Sequence, residues 1–260
     1  MRDIQDRENS PMRSLERALH ILDALENAGD SINVTRLGNA CKLSRATVLR
    51  IMSVLEKYGY VNKRQGRYRL GAAVLPLAHA YMLGDELTRG TLPVLQELAH
   101  NSEETASLFV RWGSKRILVQ RVDGLQPLRF LLPIGQGLLL PMGAGKVLAA
   151  ALPDEELDSV MDEIGERTLA NGKRLTRETL RAEIKCIRRQ GYSFSDGEHV
   201  IGTFSIAAPV VDADGTTIAA VSVAGATERL TPKKIEWLSI EVRAAAKAIA
   251  ARYDGGMRDH

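Results

Sequence analysis

Apolar side chains recur at helical spacing through the first part of the chain. Leu15, Ala18, Leu19, Leu22 and Leu25 line one side of a helix that Ser14 is placed to cap and Gly29 to end. Asn33 is placed to cap a short second helix running through Ala40, with Arg36 at the third helical position where a capping box would carry Glu or Gln. Ser44 caps a third helix, in which Val48, Ile51, Met52 and Leu55 fall at i, i+3, i+4 and i+7 and Gly59 supplies the stop. The period then drops to two. Tyr60, Tyr68 and Leu70 alternate with charged positions on either side of Gln65-Gly66, which predicts two strands and a tight turn. From Leu70 to about Leu87 the chain is apolar and Ala-rich, predicting one helix interrupted near Pro76 and ending about Gly84.

The remainder mixes the two periods. Amphipathic helices are expected at Leu92–His100, Ala144–Ala151, Asp154–Ile164 and Arg177–Gln190, and strands at Ala106–Arg111, Arg116–Val122 and Leu128–Leu132. Two further strands, Ser205–Val211 and Thr217–Ala224, flank the turn Asp212–Gly215, and a last helix starts at Thr231-Pro232 and runs to about Arg252. Asp154, Glu155 and Glu156 complement the dipole of their own helix, so they are not read as catalytic carboxylates. If partner numbers in the late hairpin sum to about 427, Ser205 lies opposite Ser222 and two hydroxyls share one patch of sheet. A solvated Ser/Thr ladder fits the same pattern. Helices outside a mixed, largely antiparallel sheet make this an α+β domain.

Composition narrows the class. A chain of 260 residues suggests about two domains, and 45% apolar with 26% charged residues excludes general disorder. No apolar run approaches the roughly 20 residues that span a bilayer, and the polar N-terminus lacks the apolar segment of a signal peptide. Cys41 and Cys186 lie far apart without CxxC spacing, which suits a reducing cytoplasm and gives neither a disulfide framework nor a metal site. Charge is what changes the picture. Between Arg36 and Arg69 nine basic residues face a single acid, Glu56, and such a field attracts polyanions. Measured from Val48, Arg50 lies about 200° and Ala46 about 160° round the third helix, away from its apolar seam. The first turn therefore presents Ser44, Arg45, Ala46, Thr47 and Arg50 outward. Two helices joined by Cys41–Leu43, the second studded in this way, match a helix-turn-helix whose second helix enters the major groove, although a trihelical bundle needs a polar outer face in any case. The hairpin that follows carries Lys63, Arg64 and Arg67 at its turn, as a wing suited to phosphate contact does.

These segments carry a resemblance. "SLERALHILDAL", "CKLSRATVLRIMSVLEKYGYV" and "GRYRLGAAVLPLA" resemble the winged helix-turn-helix and linker of the IclR family of bacterial transcriptional regulators. "GAGKVLAA", "RRQGYSFSDGEHVIGTFSIAAPVVDADG" and "AAVSVAGATERLT" resemble, in the same order, that family's effector-binding domain. The resemblance covers almost the whole chain. It implies a winged helix-turn-helix at 12–71, a linker helix at 72–88 and a GAF-like effector-binding domain at 89–254. It also implies a cytoplasmic homodimer or homotetramer, paired in part through the linker helix, on a pseudo-palindromic double-stranded DNA operator, with no cofactor and no membrane. The DNA-contacting set is then Arg36, Ser44, Arg45, Ala46, Thr47, Arg50, Lys63, Arg64 and Arg67.

The second domain holds the candidate ligand chemistry. Gly143–Lys146 fails as a phosphate loop, because Leu140 stands where the first glycine belongs and Val147 follows the lysine. A glycine-rich helix start remains, where backbone amides favour a small carboxylate or where helices simply pack closely. The resemblance implies an organic-acid effector held by Gly143, Ala144 and Gly145, with Ser195, Asp196, Ser205 and Ser222 around its other end. The chain departs from the family pattern at Ser205, where many members have Cys, at Ala224, where some have a second Ser, and at Ser195, where an acid is common. The run LLLPMGAGK also lacks the His and Ser/Thr often found before that helix. Alternatives stay open: a sensor acting through protein partners, or an enzyme with an accessory DNA-binding domain. The five histidines show no HxxxH or HExxH spacing and no serine sits in GxSxG, so an enzyme lacks a visible constellation; His199, near Ser195 and Ser205, is the one that would polarise a ligand.

Overall fold

The computed structural model describes residues 12–126 and 132–258, and the chain divides at Gly84 into two compact units. The first contains α1 (Arg13–Ala28), β1 (Ile32–Asn33), α2 (Val34–Cys41), α3 (Arg45–Lys57), β2 (Val61–Arg64), β3 (Arg67–Leu70) and α4 (Val74–Gly84). Its core is the seam where Ile21, Leu25, Leu37, Val48 and Met52 meet Val61 and Tyr68. The expected caps of α2 and α3 form. Asn33 Oδ1 accepts from the Arg36 amide at 2.9 Å, and Ser44 Oγ accepts from the Thr47 amide at 3.3 Å. Between these helices Lys42 adopts φ 53°, which turns the chain sharply enough for the Leu43 amide to reach Gly38 O at 2.9 Å. In the wing, Gln65 and Gly66 take φ 50° and 74°, two successive left-handed residues that match the twist of a two-residue hairpin.

Three expectations for this unit are corrected. Ser14 does not cap α1; it lies inside a helix that begins at Arg13 after Met12. The α1 stripe also shifts, because only its second half meets the core: Ile21 and Leu25 are buried while Leu15 and Leu19 remain 52% and 51% exposed. Pro76 does not interrupt the apolar stretch, since it falls in the first turn of α4, where its missing N–H would have had no helical acceptor. The break comes later, where Asp85 Oδ2 accepts from the Thr88 amide at 2.9 Å and starts a new helix. A two-residue strand such as β1 leaves no periodic trace, yet it pairs Ile32 with Tyr68 and Asn33 with Arg67.

The second unit contains α5 (Glu86–Ser102), β4 (Thr105–Trp112), β5 (Lys115–Val122), β6 (Gly137–Leu139), α6 (Gly145–Ala150), α7 (Asp154–Ile164), β7 (Arg167–Thr168), β8 (Arg174–Leu175), α8 (Arg177–Gln190), β9 (Ser193–Asp196), β10 (Thr203–Val211), β11 (Thr217–Ala226) and α9 (Pro232–Arg258). Six strands form one sheet in the order β6-β5-β4-β11-β10-β9, and β7 pairs with β8 separately. The sheet, expected to be mixed and largely antiparallel, is antiparallel at each described pairing. Alternate residues divide between two cores. Leu108, Phe204, Ile206 and Val221 pack with α5 and α9 through Leu95, Leu98, Leu238 and Val242. Phe109, Leu118, Ala207 and Ala220 face Val147, Leu157 and Ile184 of α6, α7 and α8. The strand expected at Leu128–Leu132 falls mostly outside the described residues, and β6 and β9 were not foreseen.

The register of the late hairpin differs from expectation by two residues. Ser205 lies opposite Ala224, and Ser222 opposite Ala207. One step comes from the turn, in which Asp212 pairs back to Thr216 around Gly215 at φ 82°, a three-residue connection. The second comes from a bulge at Val210/Val211, which leaves Ile218 unmatched on β11. An even shift preserves the face, so Ser205 and Ser222 still share a surface as diagonal neighbours.

Glu104 ties the sheet to the start of α9. Its side chain is 1% exposed and accepts from Arg229 Nε at 3.0 Å and Lys234 Nζ at 3.0 Å. A Cβ on Gly225 would come within 2.1 Å of its carboxylate, so a glycine is what leaves room for the cluster. Glu104→Ala is expected to lower stability by about 3 kcal/mol, the low end for a broken buried pair because both cations keep some surface in water. Urea denaturation measures the change.

Candidate nucleic-acid face and candidate ligand cavity

The capped start of α3 sets the geometry of the first unit's basic face. Val48 and Met52 are 0% and 1% exposed, so helical spacing turns Arg45, Ala46 and Arg50 to solvent, and all three are exposed. Thr47 is half-buried. Its hydroxyl lies 2.9 Å from Ser44 Oγ, so both hydroxyls belong to the cap. Arg36 is exposed on α2. The wing cations are held differently from one another. Lys63 Nζ stands 5.5 Å over the Tyr68 ring, and Arg67 is tied to Ser31 by its Nε at 2.8 Å and by a second bond to the carbonyl. Arg64, at the turn itself, is exposed. A capped helix end thus carries two guanidinium groups beside a hairpin that is pinned next to its turn by Arg67 and positive at its tip, a surface suited to a polyanion with a readable groove.

The second unit encloses a cavity of about 50 Å³ on the face of the sheet turned toward α6. Of the residues expected there, Gly143, Ala144, Ser195, Ser205 and Ser222 line it; Gly145 and Asp196 do not. Cross-strand pairing explains the hydroxyls. Ser205 is flanked by Ser195 on β9, and Ser222 by Ser107 on β4, so the sheet brings polar groups from four strands to one surface.

The helix start is not arranged as expected. The Gly143 amide donates at 2.9 Å to Oε2 of Glu198, a carboxylate of the chain itself. Lys146 Nζ donates to the other oxygen of Glu198, to Glu183 Oε2 at 3.0 Å and to Phe194 O at 3.2 Å. The Gly145 amide bonds to Met142 O at 3.0 Å. Both glycines have packing reasons. A Cβ on Gly145 would lie 2.1 Å from Leu140 O, and one on Gly143 would lie 3.2 Å from Arg116 Nη2.

The charged cavity residues that went unforeseen are Arg116, Arg121 and Glu198, beside the hydroxyls of Thr105, Ser107 and Thr203. Arg116 is 5% exposed, and its Nη1 donates to the carbonyls of Leu139, at 2.9 Å, and Met142. Its buried Nε has no hydrogen-bond partner among the described residues. Burial pulls its pKa down to about 10, with the Glu198 charge opposing, so it stays cationic at neutral pH. The signal for Arg116 was its phase with Leu118 on a strand of period two. Arg121 had no such signal. A bulge leaves Val119 unmatched, which reverses the phase of β5 and turns Arg121 toward the cavity beside Ser107.

His199 stands at the cavity rim, exposed overall but with part of its ring in the wall. Burial and then the Arg116 charge hold its pKa below the usual 6.5. The unfolded chain therefore takes up a proton as pH falls through 6.5, before the folded chain does, and stability is complete above that pH and lost as pH drops through the folded value. His199→Gln is expected to flatten the fall of the urea midpoint between about pH 7 and pH 5 relative to the native protein.

Comparison with known proteins places this geometry. The IclR helix-turn-helix domain matches residues 14–65, and the domain described as bacterial transcriptional regulator IclR C-terminal matches residues 79–251. The HTH-type transcriptional repressor AllR of Salmonella typhimurium is 29% identical over 241 residues, covering 92% of this chain and 89% of its own. A solved transcriptional regulator from Silicibacter sp. TM1040 superposes with a TM-score of 0.81 at 26% identity, over 93% of this chain and 96% of that one. An IclR homologue from Microbacterium hydrocarbonoxydans, solved in complex with 4-hydroxybenzoate, shares the fold with a TM-score of 0.70 at 20% identity over 93% of this chain and 99% of its own. With family domains matching on both sides of the division at Gly84, the chain belongs to the IclR family of bacterial transcriptional regulators.

Proposed function

We propose that this regulator works as a cytoplasmic homo-oligomer on a pseudo-palindromic operator, with α3 in the major groove, the wing on the phosphate backbone and a small organic acid in the cavity as effector. The working division is a DNA-binding domain at 12–71, a linker at 72–88 and an effector-binding domain at 89–254. The observation that carries the proposal is the orientation of α3: its apolar seam is sealed in the core, so Arg45 and Arg50 project beyond the capped first turn. Arginine in that position suits bidentate contact with guanine, and Ala46 suits a thymine methyl. Arg36, Ser44 and Thr47 border that surface, and Lys63, Arg64 and Arg67 supply phosphate contact.

Pairing of subunits is supported by α4. The helix has no buried residue, yet it exposes Leu75, Leu77, Tyr81 and Leu83 by 49% to 65%. A second copy of the same helix would take that surface out of water and set two α3 helices at the spacing of two half-sites. The organic-acid reading rests on the cations and hydroxyls of the cavity and on the carboxylate ligand of the Microbacterium relative. Gly143, Ala144, Ser195, Ser205 and Ser222 border the space, with Gly145 and Asp196 adjoining in sequence. The acid acts by binding one arrangement of the oligomer more tightly than another, since equal affinity for both would shift nothing.

Selection of bound duplexes from a random pool, with and without candidate acids, tests both halves: a two-fold symmetric consensus is expected, and its retention should change with one class of acid. Asymmetric or unselected DNA would sink the operator reading. Arg50→Ala should cost about 1–3 kcal/mol at one base pair of each half-site and relax preference there. Arg64→Ala should weaken all sequences alike and reduce the salt dependence by about one phosphate contact. Fluorescence anisotropy over a salt series separates the two.

A further inference from the structure

We propose that Arg116 is the anion anchor of the cavity, and that Glu198, rather than a ligand, keeps the Gly143 amide. The inference deepens the organic-acid reading and rests on it. A guanidinium that is 5% exposed and ringed by carbonyl groups has lost its water without gaining a counter-charge in contact. Its Nε is buried and has no acceptor among the described residues, although the side chain lines the cavity. A protein interior rarely keeps such a donor unmatched unless a ligand supplies the acceptor. The Gly143 amide at the helix start, in contrast, is already satisfied. Glu198 is 7% exposed, holds the Gly143 amide at 2.9 Å and is neutralised by Lys146, itself 2% exposed. A ligand acid at that amide would have to eject a buried carboxylate from its ion pair with Lys146, whereas at Arg116 it relieves an existing deficit.

The neighbours define the ligand class. Ser107, Ser205 and Ser222 border the same space, Arg121 lines it with its own charge met by Asp123 at 2.8 Å, and Phe109 lies under the Arg116 guanidinium at 5.3 Å. A volume of about 50 Å³ admits a carboxylate with a short substituent. The occupant is therefore a small monocarboxylate, its charged end on Arg116 and its polar substituents on the serines. Planar, forked guanidinium geometry matches a carboxylate in a way that an ammonium does not, so Lys at this position keeps the charge and loses the fit.

Titration calorimetry on the full-length protein with acetate, glycolate and lactate, each against its neutral amide, tests the proposal. For the tightest pair the native protein should prefer the acid over the amide by at least about tenfold. Arg116→Met, which keeps most of the volume, should bring that ratio close to one, and Arg116→Lys should restore part of it. Cooperative melting and retained operator binding by each variant establish that it is folded. A preference for the acid that survives Arg116→Met, in a folded variant, overturns the proposal and places the acid on another group of the cavity wall, while leaving the organic-acid reading intact. A native protein that binds none of the acids, or binds acid and amide equally, overturns both.

Discussion

A charge withdrawn from water has to be met inside the protein, and the second unit is organised around that requirement. Glu198, Lys146 and Arg116 are each more than nine-tenths buried. The first two neutralise each other, with the Gly143 amide on Glu198 and with Glu183 and Phe194 O on Lys146 completing their shells. Arg116 has carbonyl acceptors in place of a carboxylate contact. Gly145 leaves the room in which this cluster fits, since a side chain there would run into the Leu140 carbonyl, and Gly143 takes φ 51°, a conformation that strains any side chain, close beside the Arg116 guanidinium. The glycine-rich segment, so suggestive of a ligand loop, thus has as its first task the close packing of one short helix over a buried arginine.

The sheet supplies the rest of the site by arithmetic of registers. Four antiparallel strands contribute Ser195, Ser205, Ser222 and Ser107 to one face, and the opposite face of the same strands is sealed by α5 and α9. A strand cannot place a hydroxyl in the cavity without placing its neighbours in the apolar core behind it. The rigidity of that core is what gives the cavity a fixed shape. The first unit is simpler. One seam of Val48 and Met52 fixes the roll of α3, and the roll alone decides which side chains a duplex would meet.

Legibility followed the range of the interactions. The α3 cap, its buried stripe and the wing turn were readable because all their partners lie within a few residues: Ser44 with Thr47, Val48 with Met52, Gln65 with Gly66. The start of α9 was readable for the same reason, its Thr231 hydroxyl accepting from the Lys234 amide at 3.2 Å. Ser14 misled because a capping residue type carries no information about whether the preceding turn continues the helix, and it does. Leu15 and Leu19 misled because helical spacing says which residues share a face, not which part of the face is covered.

Sequence by itself determined the two-part organisation, the family and the helix-turn-helix with its basic wing, and it pointed to one part of the cavity wall, Gly143, Ala144, Ser195, Ser205 and Ser222, since each rests on local periodicity, caps, turns or recognisable motifs. Tertiary structure alone decided which cation enters the cavity and which carboxylate sits at the helix start. Glu198 meets partners 52 and 55 positions earlier in the chain, and Arg121 faces inward only because a bulge at Val119 reverses the alternation of its strand. Long-range pairing and a one-residue slip leave no periodic mark, because a side chain's face depends on the whole count of residues before it.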